Sequence, residues 1–164
     1  MTTSIRKASS AAIIAIALLI GTSANANASD RYLVFNTIAL HFENFDERNT
    51  FTPGVGLEYS PSKKIGWHVG TISDSFGYQS YYGGLNIATK RAFDGRARLM
   101  LAATILHKQF KVNAEPETKI VPLPALELRM TKNSVLNVSG SPEIDFGDHS
   151  NNAVVFFQVK LNML

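Results

Sequence analysis

The sequence predicts an all-β protein, an eight-stranded antiparallel transmembrane β-barrel of the outer membrane, and three observations carry that expectation. The first is an export leader. Arg6 and Lys7 precede an unbroken apolar run from Ala11 to Ile20, and small residues follow as far as Ala24-Asn25-Ala26-Asn27-Ala28, which is the layout of a secretory signal peptide. That run falls short of the roughly 20 residues of a spanning helix. Ala-x-Ala occurs at 24–26 and 26–28, and cleavage is expected after Ala28, leaving 29–164 as a single barrel domain. The second observation is the later pattern: no stretch approaches about 18 consecutive apolar residues, whereas segments of about ten residues rich in aliphatic, aromatic and β-branched side chains recur, as barrel strands do. The third is the absence of cysteine. It excludes disulfides, thiol catalysis and thiolate metal sites, so a small exported fold must be held in another way, and closing a sheet on itself suffices. The net charge of +3 is partly carried by the leader and by short turns rather than by one face, which argues against a nucleic-acid partner.

Turn-rich or charged clusters set the strands in order. The first, Tyr32 to Glu43, carries His41 near its outward end. The second, Phe51 to Ser60, sets Phe51, Val55, Leu57 and Tyr59 on one face against Thr52, Gly54, Gly56 and Glu58 on the other, and glycine on the presumed inner face leaves room. The third, Ile65 to Ser73, lies between Lys63-Lys64 and Asp74. The fourth, Tyr81 to Thr89, again gathers mostly small groups on one side, with Tyr82, Gly84, Asn86 and Ala88 together. The fifth, Ala97 to Phe110, is apolar on both faces. The sixth spans Thr118 to Met130, the seventh is the short Val135 to Gly140, and the eighth is Asn152 to Leu164.

An even strand number puts both chain ends on the periplasmic side, so the connections alternate between outside and inside. Those expected inside are short and basic, with Lys63, Lys64, Lys90, Arg91, Arg96 and Lys132; those expected outside are mostly acidic, with Glu43, Asp46, Glu47, Asp74, Glu115, Glu117, Glu143, Asp145 and Asp148. An eight-stranded barrel has space for side chains or one small ligand, and a partly apolar interior suits a hydrocarbon chain or a packed plug.

This topology brings His41, Asp74 and Ser75 together at the outer rim. Histidine can take a proton from a hydroxyl near neutral pH and a carboxylate can orient the imidazole, the roles acyl transfer needs. The plainer alternative is that Asp-Ser is turn chemistry and His41 an interfacial side chain. Trp67 reads as a girdle aromatic, and His68 and His107 as facing lipid headgroups or strand neighbours. His41 with Glu43 and Asp46 is not read as a metal site, and no cofactor is expected.

Several segments resemble the PagP family of outer-membrane lipid A palmitoyltransferases. They are Thr52-Pro53-Gly54-Val55-Gly56-Leu57, Gly66-Trp67-His68, Ser73-Asp74-Ser75-Phe76, Val121-Pro122-Leu123-Pro124, Ser141-Pro142, and the aromatic segment from Asn151 to Phe157. The resemblance implies a monomeric enzyme that moves a palmitoyl-like chain from a phospholipid to lipid A at the outer leaflet or cell surface of a Gram-negative bacterium, with resistance to cationic antimicrobial peptides as the consequence. It implies His41 as general base, Asp74 as its electrostatic partner and Ser75 as hydroxyl donor or nucleophile. Pro53, Pro122 and Pro142 would mark lateral lipid gates, because proline donates nothing to a strand ladder. The family's length-setting glycine corresponds to Gly84 or Asn86, and Asn86 there implies a chain shorter than palmitate. The chain departs from the family in having no amphipathic helix after the expected cleavage, in placing Asn36 near an expected proline, and in ending at Leu164.

Two alternatives remain open. A lipid A deacylase would use His149-Ser150-Asn151, but these are adjacent and no acid follows Asp148. A non-enzymatic structural or adhesive barrel accounts for the leader and the alternation equally well.

Overall fold

The computed structural model describes residues 30–42, 48–61, 64–110, 115–145, 150–151 and 153–163. The expected leader, the loop acids Glu43, Asp46 and Glu47, and His149 lie outside them. The described chain forms β1 (Asp30–His41), β2 (Phe51–Ser60), β3 (Ile65–Ser73), β4 (Gln79–Ala88), β5 (Ala97–Lys108), β6 (Glu117–Arg129), β7 (Ser134–Ser141), β8 (Ile144–Asp145), β9 (Ser150–Asn151) and β10 (Val154–Asn162). Eight of these close a barrel in the order β1-β10-β7-β6-β5-β4-β3-β2, every pair antiparallel.

The eight expected strands are therefore present, with shifted ends. β4 begins at Gln79 because Asp74 N–H donates to the Tyr78 carbonyl at 2.8 Å and turns the chain back at once. β1 stops at His41, and β7 runs to Ser141. The small β8–β9 hairpin was not expected.

Side chains alternate across the wall as the two-residue period of a strand requires. On β5, Leu101 is 48% exposed and Ala102 9%, and Leu99, Ile105, Leu85, Ile87 and Ile120 also stand outside. The enclosed side is largely polar, with Asp74, Asn86, Glu127, Asn137 and Lys160 buried. This arrangement is the reverse of a water-soluble core.

Three layers fill the interior below the end marked by His41. At the far end, Lys160 Nζ donates to Glu58 Oε2 at 2.6 Å and to Glu127 Oε1 at 2.8 Å. Arg98 also pairs with Glu127, and Arg91 reaches the same carboxylate at 3.2 Å. Above this lies a hydrogen-bonded belt: Asn36 Nδ2 donates to Tyr82 Oη at 3.1 Å, Gln158 Nε2 to Asn36 Oδ1 at 2.5 Å, and Asn137 Nδ2 to Gln158 Oε1 at 2.6 Å. The inner glycines do not simply leave room, as the sequence suggested. Tyr82 lies across Gly70 and Gly56, where a Cβ would strike its ring or hydroxyl. Above the belt and beneath His41 lie Ile72, Leu106, Val154 and Phe156, which line a cavity that also reaches the belt and the charged layer.

Candidate active site

β1 and the turn after β3 supply the two groups that meet at the rim. His41 is the last residue of β1 and pairs across to Val154 on β10, so the inward parity of the strand turns its ring into the barrel. Its Nε2 lies 2.6 Å from Ser75 Oγ, and both residues are buried. Thirty-four residues separate them in sequence, and the pairing of β1 with β2 and of β2 with β3 brings them to one rim.

Asp74 builds the turn that presents Ser75. Its Oδ1 accepts from the Phe76 and Tyr78 amides, both at 3.0 Å, and its Oδ2 accepts from Ser80 Oγ at 2.9 Å and Gln109 N–H at 3.3 Å. A buried carboxylate filled by four donors is stable there and orders an Asx-type turn. The Asn49 amide fixes the Ser75 carbonyl at 2.7 Å. The three expected residues thus converge, but among the described residues Asp74 makes no hydrogen bond to His41. Arg48 Nη1 instead lies 3.2 Å from His41 Nδ1.

Arg48, Lys108 and Phe76 are the functional candidates that sequence reasoning missed. Arg48 and Lys108 Nζ lie 5.3 and 6.0 Å from the centre of the Phe76 ring, and Lys108 is also 5.3 Å from that of Phe110. The available signal was a single arginine after Glu43, Asp46 and Glu47, which vanished into a loop counted as acidic.

Below the pair is a cavity of about 110 Å³. Its upper wall is mostly apolar, with Ile72, Leu106, Val121, Leu123, Val154 and Phe156 beside His41, Lys108 and Ser141, and its lower wall carries Asn86, Asn137, Gln158 and Lys160. Of the two candidate floor positions, Asn86 lines the cavity and Gly84 does not. A Cβ at Gly84 would collide with the Ala103 backbone, so that glycine serves the close approach of β4 and β5. Asn86 Nδ2 and Asn137 Oδ1 are buried with no hydrogen-bond partner among the described residues. His68 was expected to face headgroups or neighbouring strands. It lines the cavity instead, with Nε2 3.0 Å from Thr104 Oγ1 two strands away. His107 does meet its strand neighbour Thr118, at 2.9 Å.

The prolines mark breaks in the wall. β6 pairs with β7 only from Ala125↔Ser139 to Arg129↔Val135. Extending that register sets Pro124 across from Gly140 and Pro122 across from Pro142, where missing N–H groups cannot support a ladder. The β5–β6 ladder runs unbroken past them to Lys108↔Glu117. Val121, Leu123 and Ser141, which flank the unzipped seam, line the cavity. Pro53 sits by a second irregularity, opposite the β1 register shift between Asn36 and Ile38. The side chains of Ser150 and Asn151, which a deacylase would need, lie outside the described residues, as His149 does.

Fold and site together define a closed barrel with a buried His–Ser pair over a half-apolar cavity. No protein-family model and no curated protein matches the chain.

Proposed function

We propose that the protein is an outer-membrane acyltransferase, a divergent member of the PagP family, that moves a fatty acyl chain from a phospholipid to lipid A. The observation that carries this reading is the 2.6 Å contact between His41 Nε2 and Ser75 Oγ at the mouth of a cavity whose upper wall is mostly apolar. The outward rows of Leu, Ile and Phe suit a lipid bilayer, as the outer faces of membrane barrels do. A barrel closed on itself has no free sheet edge to pair with another copy, which favours a monomer.

In the proposed reaction His41 takes the Ser75 proton as Ser75 Oγ attacks the donor ester carbonyl. The C–O bond to the glycerol breaks, His41 returns the proton to the leaving lysophospholipid, and the chain stays on Ser75. A lipid A hydroxyl then attacks the new ester with His41 again taking the proton, which passes to Ser75 Oγ as that bond breaks. The unzipped β6–β7 seam offers a sideways path for the chain, and Asn86 ends the apolar part of its cavity. A chain shorter than palmitate follows from that floor.

Purified barrel in detergent micelles, given phospholipid with a labelled acyl chain and unlabelled lipid A, should label the lipid A with wild type and not with His41→Ala. Release of fatty acid from lipid A would favour the deacylase instead. An unchanged mixture would favour a non-enzymatic barrel. Asn86→Gly should shift the transferred chain longer; an unaltered chain-length profile would remove Asn86 as the floor.

A further inference from the structure

The belt and the charged layer satisfy most of their own polar atoms. Asn137 Nδ2, Gln158 Nε2 and Asn36 Nδ2 each donate to the next group in a chain that ends at Tyr82 Oη. Lys160 Nζ is taken by Glu58 Oε2 and Glu127 Oε1, and His68 meets Thr104. Among the residues that line the cavity, three atoms are left over. Asn86 Nδ2, Asn137 Oδ1 and Glu58 Oε1 are buried with no hydrogen-bond partner among the described residues.

These atoms share one place. Asn86, Asn137 and Glu58 are 2, 4 and 4% exposed, and all three line the cavity at the end away from His41. The direction of the belt decides which end of the Asn137 amide is unpaired: its Nδ2 is spent on Gln158 Oε1, so the oxygen remains. Asn86 is seated by a glycine. A Cβ at Gly66 would come within 2.6 Å of Asn86 Oδ1 and 2.5 Å of Ser60 Oγ, so the missing side chain at 66 keeps room for the amide. Buried polar atoms are nearly always paired. One donor and two acceptors at the bottom of an otherwise apolar path therefore call for a partner from outside the chain.

We propose that the lower end of the cavity is a subsite for a hydroxyl group, and that the acyl chain this protein prefers carries a hydroxyl at or beside its methyl end. The inference rests on the acyl-transfer reading for the chain itself. A hydroxyl is one donor and two acceptors, so it accepts from Asn86 Nδ2 and donates to whichever of Asn137 Oδ1 and Glu58 Oε1 the chain brings it against. Other chain ends match the set less well. A carboxylate only accepts, and meets Glu58 with like charge. An aldehyde or ketone leaves both oxygens unpaired, and an ammonium cannot accept from Asn86. A methyl end pairs with none of the three, and where it displaces water from them it cannot reproduce the lost hydrogen bonds. A site that hydrogen-bonds a substrate hydroxyl rejects the analogue without it far more strongly than an apolar pocket separates chains differing by one methylene.

The test offers the whole barrel in micelles a set of phosphatidylglycerols with labelled chains from octanoyl to tetradecanoyl, each length with and without a terminal hydroxyl, and lipid A as acceptor. Wild type should transfer its best hydroxylated chain about tenfold or more over its best plain chain, and Asn86→Leu should reverse that order. A second readout needs no turnover. In nitrogen-labelled protein the Asn86 side-chain amide signals, identified as the pair absent from Asn86→Leu, should shift with ω-hydroxydodecanoic acid and stay in place with dodecanoic acid. Plain chains transferred as well as or better than hydroxylated ones, with no such shift, would overturn the subsite and leave acyl transfer standing. A shift specific to the hydroxy acid without transfer of any chain would uphold the subsite and sink the acyl-transfer reading. Neither shift nor transfer would overturn both.

Discussion

At the residue scale, each group at the rim has a distinct partner and therefore a distinct failure. His41 touches Ser75, so His41→Ala should leave a folded barrel whose transfer rate falls about 10²- to 10⁴-fold, the range for a general acid–base group. Near-normal turnover would remove His41 from the chemistry. Asp74 holds the turn through four accepted hydrogen bonds. Its replacement by Ala leaves buried donors unsatisfied, at about 1–3 kcal/mol for a group so stranded. Asp74→Ala should accordingly lower stability in urea titrations as well as activity, whereas Ser75→Ala should lower activity alone. Equal stability of the two variants would make Asp74 an electrostatic partner of His41 after all. The Asp-Ser pair and His41 were legible in the sequence because polar residues of these types at outward strand ends must share one rim. Arg48 was not, since only coordinates show that, among the described residues, its guanidinium rather than a carboxylate meets the imidazole.

At the element scale, the strands were legible from their alternation, and the errors fell where local hydrogen bonding outweighs it. The Asp74–Tyr78 turn returns the chain two residues earlier than the apolar pattern of the fourth strand implied. The small-residue faces of β2 and β4 were visible as open space, but their occupant was not, because Tyr82 reaches over Gly70 and Gly56 from one and two strands away in the folded sheet. Gly70→Ala should force that ring to move at a cost typical of overpacking, about 1–3 kcal/mol, read as an earlier urea midpoint. The β6–β7 seam gives a prediction of opposite sign. Pro122→Val with Pro124→Val restores two N–H groups where the ladder stops, so the barrel should become more stable while acyl transfer slows. A faster enzyme, or an unaltered one, would show that lipid does not enter there.

At the scale of the whole molecule, closure dictates what the interior must contain. The outer face is apolar, so the polar and charged groups are enclosed, and enclosed charges must be paired to be tolerated. Lys160 meets Glu58, 102 residues away, and Glu127, 33 residues away, a network no local pattern reveals and one the sequence reading did not foresee. Removing one member strands the others: Lys160→Met should destabilise the barrel by about 3–5 kcal/mol, as breaking a buried ion pair does, with a loss at the level of a surface pair contradicting that account. Glu58 and Lys160 of this network also line the cavity, at the end away from the His41–Ser75 pair.

The central claim is that this barrel transfers an acyl chain at Ser75, and mass spectrometry of lipid A from cells producing the wild type or Ser75→Ala at matched outer-membrane levels tests it most directly. The account predicts lipid A heavier by one acyl group, shorter than palmitoyl, with the wild type alone. The same gain with Ser75→Ala, a loss of acyl mass, or no change with either protein would contradict it.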